Sequence, residues 1–444
     1  MVDMKKKIII LGGGFAGVEC AKHLQKKLSK STDIEIILVS EDNFLLFTPM
    51  LPQVASGTVQ TRNIVIPIRT IIKKVTFYEG RVRHIDPVTR QVSLWGTPEK
   101  PGITLEYDYL VVALGSETNF FGMNDLENNA FRMKTLNDAV IVRNRIIDML
   151  EQANNEPDPD TRKSLLTIVI VGGGFAGIET AGELNDFLND AIKYYPKIIM
   201  NDISVKVLEA LPSILPGFSP KLAEFTQNQM IQRGIEINLR TAVTGFDGNI
   251  VTTKNLDDQT TDILHTKTVI WTAGVTPTNT VKRSIFKTEK GKIIINEYLE
   301  ADGYKGVFAA GDCALCIDTS TQKPFPPTAQ LAEAQAKRIA ANLYSLIKNN
   351  SMEKFTYAPR GQMAVIGKRT GIVSIFGLNI RGMMAWLLWR NVYLKKMPSM
   401  SKRARLLMDW FQDALFDRDI SRLKIMRANP IKEYETLQVL DDFW

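Results

Sequence analysis

Short apolar runs broken by glycine set the rhythm of the chain. Lys7–Leu11 (KIIIL) is a compact apolar run that stops at three glycines and predicts a buried strand feeding a tight turn. FAGVECAKHL then predicts a helix, and IEIILVSEDN the next strand. The same order returns in LLTIVIVGGGFAGIETAGEL followed by SVKVLEA. YDYLVVALGS (Tyr107–Ser116) and KTVIWTAGV are further buried strands, ending in ALG and TAG. The chain therefore duplicates one arrangement of strand, GGGFAG, helix and strand, with the hexapeptides starting 160 residues apart. Between the copies, EQANNEPDPDTRKS (Glu151–Ser164) reads as a surface connection. In the second copy NDFLNDAIKYYPKIIMNDIS reads as a lengthened crossover. Later, GVFAAGDCA (Gly306–Ala314) reads as a strand ending at Gly311-Asp312 before a helix, and AQLAEAQAKRIAANLYSLI as a long helix.

Both glycine turns fit G-x-G-x-x-G, as Gly12, Gly14, Gly17 and as Gly172, Gly174, Gly177. The first glycine permits the tight turn, the second lets backbone approach a pyrophosphate, and the third lets helix and strand pack closely. The helix N-terminus adds free N–H groups and the positive end of its dipole. One such motif is weak evidence. Here each copy follows an apolar strand, opens a helix and precedes another strand, which predicts two dinucleotide sites. The second strand of such a unit should end in an acid that holds ribose hydroxyls. Glu209 fills that place in the second unit, and a carboxylate there favours NADH over NADPH. In the first unit the strand ends LVSEDN, so Glu41 is read as the ribose partner, with Ser40, one residue earlier, as the alternative. Asp312 is placed to bind the ribityl or pyrophosphate end of a flavin. Two dinucleotide sites in one chain point to electron exchange between cofactors.

At 444 residues the chain exceeds one ordinary core, so two or three domains are expected. With 45% apolar and 23% charged residues it is globular in composition. Its three histidines (His23, His84, His265) lie outside metal-ligand spacing of one another, so no metal site is expected. Three cysteines make no disulfide framework and point to a reducing compartment. The net charge of +7 sits in one place: Arg381–Arg427 holds eleven basic and four acidic residues. No apolar run reaches 18 residues, so no spanning helix and no proton-pumping path are expected.

Taken together, the first GGGFAG, NFLLFTPMLPQVASGTV (Asn43–Val59), VVALGS, VGGGFAGIETAGEL, VLEALPSILPGF, WTAGVTP, AAGDCA, PPTAQLAEAQAKRIAANL and the tail AWLLWRNVYLKKMPSMSKRARLLMDWFQDALF resemble the two-dinucleotide-binding-domain flavoproteins. More closely the chain resembles the type II NADH:quinone oxidoreductases, single-chain NADH dehydrogenases that do not pump protons. The resemblance implies an α/β fold with two Rossmann-like domains and a C-terminal amphipathic helical membrane-anchoring segment. It implies FAD, non-covalently held, in the first unit and NADH as substrate in the second. Residues 1–120 and 301–380 would form the FAD domain, 121–300 the NADH domain, and 381–444 the membrane-associating region. Thr48, Pro49, Ala329 and Gln330 would border the flavin ring, Glu179 would lie near the nicotinamide, and Gln330 near the quinone. Glu179 and Gln330 are thus the candidate catalytic residues. Ala113 and Gly115 of ALG and Ala273 and Gly274 of TAG join the cofactor-binding set. A peripheral homodimer on the cytoplasmic face of the cell membrane is expected.

The cysteines discriminate among relatives of this fold. Disulfide reductases and sulfide:quinone oxidoreductases need thiols beside the flavin. Cys20 falls inside the first helix, and Cys313 and Cys316 follow Asp312 near the phosphate end, so buried small residues are expected. In the tail, a helix over KRARLLMDWFQDALF would gather Leu407, Trp410, Phe411 and Ala414 on one face. Trp386, Trp389 and Trp410 suit a lipid headgroup boundary, and the flanking lysines and arginines an anionic surface. The same helices are compatible with packing on the body or on a second subunit, whereas clustered Trp and Leu argue against nucleic acid. The expected reaction is hydride transfer from NADH to FAD and two-electron reduction of a membrane quinone. A sulfide:quinone oxidoreductase and a slow NADH-sensing membrane flavoprotein are the rival readings.

Overall fold

The computed structural model describes residues 5–96, 101–318 and 321–422. Two five-stranded parallel sheets carry the duplicated motif. The first runs in the order Val307–Ala309, Tyr109–Val112, Lys6–Leu11, Ile34–Ser40, Thr76–Glu79. The second runs Phe131–Arg132, Thr268–Trp271, Thr167–Val171, Ser204–Leu208, Ile235–Asn238. In both, the strand feeding the glycine turn is central, with the acid-bearing strand on one side and the ALG or TAG strand on the other. Parallel strands covered on both faces need uninterrupted apolar runs, and Ile8–Leu11 and Thr167–Val171 are buried throughout. The first sheet takes its edge strand Val307–Ala309 from beyond the second sheet, so the chain returns to the first unit after completing the second. Ser116–Thr118 and Val275–Pro277 pair antiparallel where the chain leaves and re-enters.

The helix Phe15–Lys27 packs along Ala329–Ile347, whose Ala332, Ala336 and Ala340 keep the approach close. A three-stranded antiparallel sheet, Gly361–Val365, Gly371–Ile375 and Leu378–Gly382, follows. Two helices, Met383–Lys396 and Met400–Leu415, complete the described chain. Lys424 and Arg427 of the basic segment lie outside the described residues. Among the described residues no helix is long and apolar enough to cross a membrane.

Three local expectations are corrected. The supposed surface connection over 151–164 is largely helical. Leu136–Asn155 runs through its start, and Pro159–Leu166 begins at Asp158, which caps Thr161 N–H at 2.8 Å with Pro159 in the first turn. Asp312 does not precede a helix but sits in a single 3-10 turn, Gly311–Cys313. In the last helix Trp410 leaves its expected outer row: the inward face is Leu406, Asp409, Trp410 and Asp413, while Leu407, Phe411 and Ala414 stay exposed. Asp409 turns inward because Oδ2 accepts from Gln60 N–H (3.1 Å) and Asn63 Nδ2 (2.6 Å), and Trp410 Nε1 donates to Gln53 Oε1 (3.2 Å). Trp389 and Trp410 are therefore core residues, and Trp386 lies under the Arg390 guanidinium at 3.6 Å. Leu407, Met408, Phe411 and Leu415 face outward instead.

Candidate active site

The two glycine turns are near copies in three dimensions. Gly12 and Gly172 have φ of +109° and +108°, which disfavours any side chain. Each donates its N–H at 2.8 Å to the end of the neighbouring strand, Val39 O and Leu208 O. A Cβ on Gly17 would lie 1.9 Å from Gly12 O, and one on Gly177 1.8 Å from Gly172 O. These third glycines are what let helix and turn touch. A Cβ on Gly14 or Gly174 would meet nothing within 4 Å, so at the second glycine the backbone faces open space. Each of these two residues precedes a helix and makes no side-chain cap. Uncapped N–H groups behind a side-chain-free surface fit a dinucleotide pyrophosphate, and they do so twice.

The strand registers identify equivalent positions at the ends of the two second strands. Leu11 pairs with Val39 and Val171 with Leu208, so the next residues, Ser40 and Glu209, are counterparts. A Cβ on Gly13 would lie 2.3 Å from Ser40 Oγ, and one on Gly173 3.0 Å from Glu209 Oε2. Glu209 is buried and already accepts from Gly173 N–H and, at 2.8 Å, from Leu211 N–H. Glu41 stands one residue further, exposed, with Arg81 Nε at 3.3 Å.

Around the first turn, Ala113 O faces Gly12, and Gly115 has φ +67° with open space at its Cβ position. Ser116 Oγ donates to Asp312 Oδ2 at 2.6 Å, and Lys134 Nζ donates to Ser116 Oγ at 2.8 Å. Ala273 N and Thr272 Oγ1 crowd Gly172, and Gly274 (φ +83°) meets the Phe121 ring. Thr48 and Pro49 open a 3-10 turn, Thr48–Met50, that leads into helix Leu51–Ala55. The preceding Phe47 packs edge-on against Phe15 of the first glycine-turn helix (6.0 Å) and Tyr393 of the C-terminal pair (5.6 Å). Ala329 and Gln330 begin their helix after Thr328, whose Oγ1 accepts from Leu331 N–H.

Glu179 lies two residues past Gly177, at the fifth position of helix Phe175–Ala191, so it is not the first-turn acid the sequence suggests. It is buried, and its Oε1 accepts from Val365 N–H at 3.0 Å. The Trp389 indole and Tyr393 ring lie beside it. Burial pushes its carboxyl up to about 8, opposed by the Val365 bond and reinforced by the charge of Glu183. At neutral pH Glu179 is mainly a neutral, proton-bearing acid. Gly182 makes this possible, because a Cβ there would come within 2.7 Å of Ile366 C and push the C-terminal sheet away. Glu183, one turn on from Glu179, is instead surrounded by polar partners. Its Oε2 accepts from Ser56 Oγ (2.7 Å) and Thr58 Oγ1 (2.9 Å), and buried Arg418 Nη2 lies 3.5 Å away.

Cys20, Cys313 and Cys316 are free and buried. Burial pushes Cys20 far up, Cys313 to about 11 and Cys316 upward. None is a poised thiolate. Among the described residues there is no group of three or more side chains able to hold a metal. Sequence reasoning missed Lys134, Arg418 and the bracing residues Val365, Tyr357 and Arg360. These lie outside any motif and reach the site only through tertiary packing; Gly182, inside the quoted VGGGFAGIETAGEL, was a legible signal.

Residues 6–336 match the family model described as pyridine nucleotide-disulphide oxidoreductase, and residues 360–419 match that of the NDH2 C-terminal domain. A probable NADH dehydrogenase of Dictyostelium discoideum is 33% identical over 426 residues, covering 94% of this chain and 91% of the relative. A type II NADH:quinone oxidoreductase of Staphylococcus aureus is 29% identical, covering 87% and 93%. The structure of NDH2 from Plasmodium falciparum in complex with NADH superposes with a TM-score of 0.85 at 22% identity, covering 94% and 100%. The chain belongs to the pyridine nucleotide-disulphide oxidoreductase family and, within it, to the type II NADH:quinone oxidoreductases.

Proposed function

We propose that the chain oxidises NADH and reduces a membrane quinone by way of FAD. The observation that carries this reading is the pair of matched glycine cradles in one chain, with a buried neutral carboxyl two residues past the second cradle. FAD is assigned to the first unit, over Gly12, Gly14 and Gly17, with Ala113, Gly115, Thr48, Pro49, Ala329 and Asp312 around it. Ser40 takes the ribose position that Glu209 holds in the second unit, and Glu41 lies at the rim. NADH is assigned to Gly172, Gly174 and Gly177, with Ala273 and Gly274 beside the turn. Glu209, held by two backbone N–H groups, presents its remaining lone pairs to ribose hydroxyls and repels a 2′-phosphate.

Bound FAD supplies the two-electron relay between a hydride donor and a quinone. The protein's part is position and protons. NADH, one proton and a quinone give NAD⁺ and a quinol, so one proton beyond the hydride must be held near the acceptor. Glu179 holds such a proton at neutral pH, beside Trp389 and Tyr393. Gln330 offers its amide to the quinone carbonyl. Met384 and Leu387 on one C-terminal helix and Leu407, Met408, Phe411 and Leu415 on the other are exposed, as are Lys395, Lys396 and Arg405, and we take these residues together as one surface. This surface is assigned to a lipid headgroup boundary, where a long-tailed quinone dissolves. Residues 301–380 are assigned to the FAD domain with 1–120, and 121–300 to the NADH domain.

Buried, protonated cysteines weigh against sulfide as donor. The test is anaerobic addition of NADH and then a short-chain quinone to the FAD-loaded protein, watched through flavin absorbance. Fast bleaching and fast recovery are expected. Bleaching without recovery would favour an NADH sensor, and bleaching by sulfide alone would favour the sulfide reading.

A further inference from the structure

Gln330 has a side-chain amide whose orientation is dictated by its neighbours. Its Oε1 accepts from Arg360 N–H at 2.8 Å and from Tyr357 O–H at 3.0 Å. A backbone N–H can only donate, so the atom facing Arg360 must be the oxygen. The Nε2 group is thereby turned away and bonds to no other described residue. Tyr357 is fixed as well. Its ring stands edge-on to Phe325 (5.3 Å, 86°) and stacks on Phe355 (6.3 Å, 10°). Burial pushes its hydroxyl up, opposed by a hydrogen bond with the Thr328 side chain and the charge of Arg360, so it remains protonated and able to donate.

Arg360 stands immediately before the strand Gly361–Val365, and Val365 at the far end of that strand holds Glu179. Gly361 makes the junction: its φ is +132°, and a Cβ would lie 2.4 Å from Ser374 O. One strand of the C-terminal sheet thus braces a side chain from each nucleotide-binding unit. Both braces engage acceptor oxygens.

From this geometry we infer that Tyr357 is a positioning residue for quinone reduction, locking the Gln330 amide so that Nε2 faces the quinone carbonyl as a donor. The inference rests on the assignment of Gln330 to the quinone side. In this inference Tyr357 acts through Gln330 alone. Its removal leaves Arg360 N–H as the sole lock and frees the amide to swing.

The test compares Tyr357→Phe, Gln330→Ala and the double variant in the FAD-loaded full chain, with a short-chain quinone as acceptor. Tyr357→Phe keeps the ring packing and removes only the hydroxyl. It should raise the quinone KM roughly three- to tenfold, in line with one lost hydrogen bond. Flavin bleaching by NADH and flavin retention should not change. In the Gln330→Ala background the same substitution should add nothing. If Gln330→Ala raises the quinone KM while Tyr357→Phe does not, the inference falls and the quinone assignment stands. If Tyr357→Phe acts equally in both backgrounds, or loosens the flavin, Tyr357 works independently of Gln330 and the inference is wrong. If Gln330→Ala leaves quinone kinetics unchanged, the quinone assignment itself fails.

Discussion

The two glycine-turn helices begin alike and diverge within one turn. Glu19 and Glu179 occupy the same place, two residues past the third glycine. Three residues on, the first helix has Lys22 and the second Gly182; four residues on, His23 is matched by Glu183. In the first helix Glu19 pairs with Lys22 at 3.1 Å and His23 at 2.8 Å. Burial pushes the Glu19 carboxyl up, but the bonds and charges of Lys22 and His23 outweigh it and hold the group below its ordinary value. In the second helix the cation is gone, the C-terminal sheet fills its space, and Glu179 is held neutral. Duplication supplied two equal carboxyls, and the neighbours made one an ion-pair partner and the other a buried, protonated acid.

The largest effect is expected at the glycines that make the units alike. Gly17→Ala and Gly177→Ala each drive a methyl into a backbone carbonyl, at 1.9 and 1.8 Å, and should cost about 3 kcal/mol or more. Gly17→Ala should release FAD and lower the melting temperature sharply. Gly177→Ala should abolish bleaching by NADH while flavin stays bound, and equal flavin loss in both would erase the assigned division of labour.

A smaller effect separates the ribose positions. Glu209→Gln should reduce the preference for NADH over NADPH roughly tenfold, by removing the charge that repels a 2′-phosphate. Ser40→Ala should leave that preference alone and weaken FAD only slightly. An unchanged nucleotide preference in Glu209→Gln would remove Glu209 from the site.

The smallest effects are slopes of stability against pH. Glu179, raised to about 8, binds a proton more tightly folded than unfolded. Its contribution to stability therefore falls as pH rises from its ordinary value to about 8, and Glu179→Gln should flatten that fall. Glu19, lowered on folding, contributes stability above its ordinary range that is lost as pH falls. Glu19→Gln should reduce acid sensitivity, with a change of about 0.5 kcal/mol at neutral pH. Denaturant midpoints across pH would show the two slopes with opposite sign.

Much of this was legible in the sequence because it is local. Strand, glycine turn and helix are specified by adjacent residues, and Ala329–Ile347 is helical over the expected run. The state of Glu179 was not legible, since it depends on Val365, 186 residues away, and on the space opened by Gly182. The tail failed for a related reason. Helical periodicity alone put Trp410 outside with Phe411. Asp409 and Asp413 claim the inward face through Asn63 and Arg418, partners that no periodicity reveals. Ser40 and Glu41 are told apart only by strand register, which makes Ser40 the counterpart of Glu209 in the other sheet.

The most direct measurement is the rate of quinone-driven flavin recovery against pH, in the native chain and in Glu179→Gln and Glu19→Gln. The native rate should fall as pH passes about 8, where Glu179 loses its proton. Glu179→Gln should lower the neutral-pH rate by roughly 10²-fold and lose that inflection, while Glu19→Gln should keep both. An inflection near 8 that survives in Glu179→Gln would contradict the assignment of Glu179 as the proton-bearing acid.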